Sequence, residues 1–132
     1  MNEKEILQQA AIYSQKRYNG LNEISNITKQ LQEALEYNDI VTIRMLIRMR
    51  QEEMDSIDQI DRQREEIIGE LTEVQKKALK EGDILPFSEE NAVFVQKIAE
   101  IREKNERLLE KLIEQDKRVN LKLAGENSYY KK

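Results

Sequence analysis

The chain has no cysteine, histidine or tryptophan, and only one proline and four glycines among 132 residues. Without cysteine there is no disulfide framework, thiol nucleophile or thiolate metal site. Without histidine the commonest acid–base group is missing, as is the Glu-x-x-His pattern by which helical bundles hold two iron ions. Gly-rich phosphate loops and Ser-centred nucleophile elbows are absent too. The chain therefore reads as a non-enzyme with no cofactor. No apolar run approaches the roughly 20 residues of a membrane-spanning helix. Charge of one sign is also lacking: 22 basic and 26 acidic residues are interspersed and leave a net charge of -4. That balance gives no electrostatic reason to expect nucleic acid or an anionic membrane as partner. The opening "MNEKEILQQA" carries both signs of charge and has no apolar centre, unlike a signal peptide. A cytoplasmic protein is expected.

What is present is helical periodicity. Leu21, Ile24, Ile27, Leu31 and Leu35 keep the 3–4 spacing of one helix face, extended upstream by Ile6, Ala10 and Tyr13. Gly20 falls within this segment and marks a candidate bend. At "YND" the stripe stops; Asn38 suits a helix C-terminus and Asp39 the next N-cap. A second stripe runs Ile43, Leu46/Ile47, Arg50, Met54, Ile57, Ile60, Arg64, Ile67/Ile68, Leu71, Val74 and Ala78, passing through Gly69. An arginine set in such a stripe lays its stem on apolar neighbours and pairs with a carboxylate from another helix. "EGDILPFSEEN" is a loop: Gly82 ends one helix, Pro86 forbids its continuation and Ser88 caps the next. Ile84, Leu85 and Phe87 are expected to fold over the end of the domain. The third stripe is Val95, Ile98, Ile101, Leu108, Leu112, Val119 and Leu123, closed by Gly125. The predicted fold is all-α: an antiparallel bundle of three long helices with coiled-coil-like packing and room for a short extra C-terminal piece. The helices cover about 2–37, 40–80 and 89–123 of a single domain 1–124, with 125–132 a flexible tail.

Two charged motifs invite a chemical reading. Asp55, Asp58 and Asp61 in "DSIDQID" share a helix face and could hold Mg²⁺, but a solvated face beside Arg62 and Arg64 accounts for them more simply. Lys76, Lys77 and Lys80 fit the ordinary preference for cations near a helix C-terminus.

One stretch exceeds what a single core stripe requires. In residues 40–50, Ile40, Ile43, Leu46 and Ile47 fall in one sector and form the core stripe. Val41, Met45 and Met49 form a second strip, flanked by Arg44 and Arg48 and ended by Glu52 and Glu53. Either another helix or Ile84 and Phe87 cover that strip, or it is a surface for a partner or a second copy. Methionine is flexible and polarizable and suits adaptable binding surfaces.

"LQEALEYNDIVTIRMLIRMRQEEMDSIDQID" resembles flagellar export chaperones of the FlgN and FliT type. Leu35, Asn38 and Asp39 match the family's acidic turn, and Leu46, Arg50, Met54, Ile57 and Ile60 its following helix. Met54 stands where an aliphatic residue is more usual. "LLEKLIEQDKRVNLKL" matches a later segment, with Asp116 and Asn120 in its polar places. The resemblance implies a cytoplasmic chaperone that holds the amphipathic C-terminal helix of a hook–filament junction or filament-cap protein and delivers it for export. Export-gate or export-ATPase components would be further partners. It also implies a cargo role for the last helix, carried here to Leu112, Val119, Leu121 and Leu123. The alternative is a homodimeric or homo-oligomeric structural or adaptor protein unrelated to flagella.

Overall fold

The computed structural model describes the backbone of residues 1–131 and the side chains of residues 1–122. Among the described residues the fold is all-helical, with no strand. Its elements are α1 (Glu3–Glu36), α2 (Ile40–Ile68), α3 (Glu73–Glu81) and α4 (Ala92–Lys131), with a 3-10 turn over Glu89–Asn91 leading into α4.

The boundaries follow local chemistry. Asn2 opens α1: its side chain accepts the Glu5 backbone N–H at 2.8 Å, and Glu5 closes a capping box. α1 stays helical through Gly20, where a bend was expected. Asn38 takes the left-handed conformation with φ 53, which asparagine tolerates better than most residues. Asp39 then caps α2, accepting the Thr42 N–H at 3.2 Å and the Thr42 hydroxyl at 2.6 Å. These bonds, the hydroxyl first, hold the Asp39 carboxyl below its ordinary pKa.

The expected helix over 40–80 is two helices. α2 ends at Gly69, where an added Cβ would sit 3.1 Å from the Glu66 carbonyl oxygen. Thr72 starts α3 by its own capping box: its hydroxyl accepts the Gln75 N–H at 3.1 Å, and the Gln75 side chain accepts the Thr72 N–H at 3.2 Å. The apolar spacing carries across Gly69 because Ile67, Ile68 and Leu71 all join one core cluster, although the backbone turns between them. The last helix differs as well: the bounds of α4 pass Gly125, a residue that a helix interior accepts at about 1 kcal/mol. The expected tail at 125–132 lies outside the described side chains.

α1 is the spine. It packs along both α2 and α4, whereas α2 and α4 meet each other through only a few side chains. Its partners on α2 come in descending order: Arg17 meets Asp61, Gly20 meets Ile57, and Leu31 and Leu35 share a cluster with Leu46. Its partners on α4 ascend: Leu7 clusters with Val95, Ser25 bonds Gln115 and Leu31 clusters with Val119. Gly20 is needed for close approach rather than for a bend, since a Cβ there would lie 2.9 Å from Ile57 Cγ1. The α1–α4 seam is partly polar. The buried Ser25 hydroxyl donates to Gln115 Oε1 at 3.1 Å, and the Thr28 hydroxyl to the Ile24 carbonyl at 2.7 Å.

At the α3 end, Phe87 is buried with Ile6, Leu7 and Val95, while Ile84 and Leu85 stay exposed. Glu3 ties this end together, accepting from Asn91 Nδ2, from the Ser88 N–H at 3.1 Å and from Gln75 Nε2 at 3.0 Å. The Asn91 bond leads in lowering the Glu3 pKa, against the opposing effect of burial. No helix among the described residues is long and apolar enough to cross a membrane.

Candidate functional site

The start of α2 carries an exposed apolar surface. Val41 is 80% exposed, and Met45 and Met49 are exposed with it. Ile84 and Phe87 do not cover them, because Phe87 belongs to the cluster at the other end of α1. Arg44 and Arg48 are exposed between the strips. The core stripe is narrower than its sequence suggests. Leu46 alone is buried and Ile43 is half-buried, whereas Ile40 and Ile47 are exposed. At about 100° per residue, Ile40 and Ile47 flank the buried line on one side, and Met45 and Met49 on the other. One neighbouring helix buries only the line between them. Tyr37, in the turn beforehand, adds to the exposed surface.

The expected cargo residues on α4 divide. Val119 is fully buried, with Leu31 and Leu46, and Leu112 is 6% exposed among Leu21, Ile24 and Ile57. Both are core, which removes them from any surface. Leu121 is 73% exposed. Leu123 lies outside the described side chains. Arg50 forms an ion pair with Asp116, joining α2 to α4. Burial of Arg50 on a helix with an apolar stripe suits its long stem, and the carboxylate answers its charge.

Because α2 and α4 stand apart, a groove runs between them over α1. Its middle is a cavity of about 240 Å³ with Leu21 and Ile24 on the floor, Met54 and Ile57 on α2, and Leu112 and Ile113 on α4. Asp58, Asp61 and Asp116 line the same cavity, as does Arg17, whose Nε lies 3.0 Å from Asp61. A second cavity of about 350 Å³ adjoins it, sharing Arg17 and Leu109. This one is bounded by α1, α2, α3 and α4, and its walls carry Arg64, Arg102, Lys76 and Lys80. Arg102 donates to the Leu79 and Lys80 carbonyls, satisfying the free C-terminal end of α3. Burial leads in depressing the Arg102 pKa; Glu106 opposes the shift and the nearby Arg64 charge adds to it. Asn105 lines the cavity, is 4% exposed and has no partner for its Oδ1.

The aspartate row is divided among separate tasks. Asp55 accepts from Gln51 at 2.9 Å, Asp58 faces the groove, and Asp61 lies against Arg17 and Arg64. Among the described residues no group of three His, Cys, Asp or Glu is placed to hold a metal ion. Lys76 pairs with Glu73 at 3.0 Å. Reading the sequence did not single out Arg102 or Asn105; nothing in a helical spacing reveals which polar residue faces a gap between two other helices. No protein-family model, curated protein or solved structure matches the chain.

Proposed function

We propose that the chain is a helix-binding chaperone of the flagellar export type, working in the cytoplasm and without catalysis. In this reading α2 runs antiparallel to α1 and α4 runs parallel to it, the three packed as in a coiled coil. They hold an amphipathic C-terminal helix from a hook–filament junction or filament-cap protein. The observation that carries the reading is the exposed apolar start of α2, where Val41, Met45, Met49, Ile40 and Ile47 flank a single buried Leu46. A helix that assembles only outside the cell must have its apolar stripe covered beforehand, and an exposed apolar helix face does that. Arg44 and Arg48 supply a polar rim, and Leu121 is the remaining candidate on α4. The ion pair of Arg50 with Asp116 supports the family resemblance, because it links two segments that resemble the family separately.

The test is calorimetric titration of the full chain with C-terminal fragments of junction and cap proteins from the same organism. One fragment should bind with a Kd on the order of micromolar or tighter. Met45→Glu should weaken it about tenfold or more, with an unchanged helical circular dichroism spectrum. A folded protein that gives no heat with any fragment would end this reading. The same surface also fits a second copy of the chain, and a monomeric mass by light scattering at micromolar concentration would exclude that alternative.

A further inference from the structure

The α2–α4 groove is electrically graded. Its middle is lined by Asp58, Asp61 and Asp116 and by one cation, Arg17; Asp116 is answered by Arg50, and Asp61 by Arg17 and Arg64. At the α3 end the cavity brings together Arg17, Arg64, Arg102, Lys76 and Lys80. Only two acidic side chains, Glu65 and Glu106, share that cavity. Some of these cations are already engaged: Arg17 with Asp61, Lys76 with Glu73, and Arg64 with Asp61 and Glu65 at 3.5 and 4.0 Å. Lys80 and Arg102 have no carboxylate within salt-bridge distance among the described residues.

The shape changes where the charge does. Along its middle the groove has walls from α2 and α4 and a floor from α1; at this end Lys76, Leu79 and Lys80 of α3 join the lining. A helix lying in the groove meets that added wall and has to stop. Helix ends are charged oppositely: the C-terminus is negative and the N-terminus positive. The basic end therefore suits a C-terminus. The cavity of about 350 Å³ has room for a terminal residue, with Ile68, Leu79, Ile98 and Leu109 to receive an apolar side chain. Asn105 lines the same cavity, and the N–H groups of its side-chain amide can donate to an oxygen anion.

We propose that this cavity is a receptor for the free α-carboxylate of a partner helix, which enters the groove C-terminus first and ends against α3. The proposal rests on the helix-binding reading above and adds to it the direction of the bound helix and the chemistry of its last residue. Arg64 and Lys80 face the carboxylate as charge donors, and Arg102 holds the α3 wall in place while adding its own field. A cargo extended beyond its natural terminus would lose this contact.

The probe is a library of peptides about 15 residues long, some four helical turns, displayed with free C-termini and selected on the full chain. Each enriched peptide is then synthesised as the acid and as the C-terminal amide, and its affinity measured by fluorescence anisotropy. The acid should bind the wild-type chain about tenfold more tightly than the amide. In Arg64→Gln and in Lys80→Gln, each checked for native helicity, that ratio should fall toward one while the affinity of the amide stays unchanged. Equal affinity of acid and amide for the wild-type chain would overturn the carboxylate receptor and leave helix binding standing. An acid preference that both variants retain would overturn it too, since the carboxylate would then be read elsewhere. Failure to enrich any peptide would reject helix binding and the receptor together.

Discussion

α1 and α2 are both long amphipathic helices with clear stripes, yet the structure uses them differently. Buried residues recur along α1 from Ile6 to Leu35, including Ser14, Ser25 and Thr28 among the apolar ones. On α2 only Leu46 and Ile57 are buried, although isoleucine and methionine are frequent in it. α1 packs along two helices, whereas α2 packs along α1 and meets α4 only through single side chains such as Arg50. An apolar residue is core only where the fold supplies a second surface to cover it. The contrast marks α1 as scaffold and α2 as the helix with surface to offer.

The largest break in that comparison should come from Leu31, which is fully buried between α2 and α4 partners. Leu31→Ala should cost about 3 kcal/mol in urea denaturation, through lost burial and a residual cavity. Ile47→Ala, an equally apolar change on exposed α2, should stay within about 0.5 kcal/mol. A comparable loss at both positions would mean that α2 is covered in solution, and would move Ile47 from the surface to an interface.

A smaller effect sharpens where the two helices touch. Gly20→Ala gains about 1 kcal/mol of helix propensity, but forces a Cβ into Ile57 Cγ1 at 2.9 Å. Overpacking of that kind costs about 1–3 kcal/mol, so the net change should be a loss of about 1 kcal/mol. In an Ile57→Ala background the same substitution should become stabilising. A double-mutant cycle by chemical denaturation reads this reversal of sign directly. An additive cycle would mean that Gly20 does not set the approach of α1 to α2.

The smallest effect concerns the α3 end, where Glu3 binds Asn91, Ser88 and Gln75. Its folded pKa lies below its unfolded one, so the carboxylate contributes stability above about pH 4.5 and loses it as pH falls through the folded value. Glu3→Gln should lower stability at neutral pH by roughly 1 kcal/mol or less, since solvent screens the site. The gap between wild type and variant should close on acidification, followed by thermal melts across pH 3 to 7. A gap that stays constant with pH would point to lost hydrogen-bond geometry rather than charge.

Much of the architecture is legible in residue spacing. Asn38 and Asp39 mark the first reversal, Gly82 takes the left-handed conformation expected of a helix stop, and Arg50 finds a carboxylate on another helix. The break at Gly69 escapes a periodicity argument because Leu71 and Ala78 rejoin the same core cluster after the helix has ended, although Val74 of the expected stripe is exposed. The Thr72–Gln75 pair in "TEVQ" was the available signal. The candidate surface is legible in part. The Val41, Met45 and Met49 strip can be found as an excess of apolar residues, but the exposure of Ile40 and Ile47 depends on how many helices reach that end. Leu112 and Val119 already stand in the third apolar stripe, and the cargo role that the resemblance carried to them fails because α1 covers that stripe. The groove and its basic end belong to pairs of helices and have no linear pattern.

The hydrogen bond between Ser25 and Gln115 spans 90 positions of the chain. α1 and α2 are joined by a tight reversal and can pair as soon as both have left the ribosome, whereas α4 is synthesised after them and must return across that whole distance. During synthesis the α1–α2 hairpin therefore exists for a time with the α4 side of α1 uncovered. The polar seam of Ser25 and Thr28 softens that exposure, giving the waiting face of α1 hydroxyls in place of continuous hydrocarbon. Ser25, which bonds α4 in the finished molecule, thus also makes the unfinished one less adhesive.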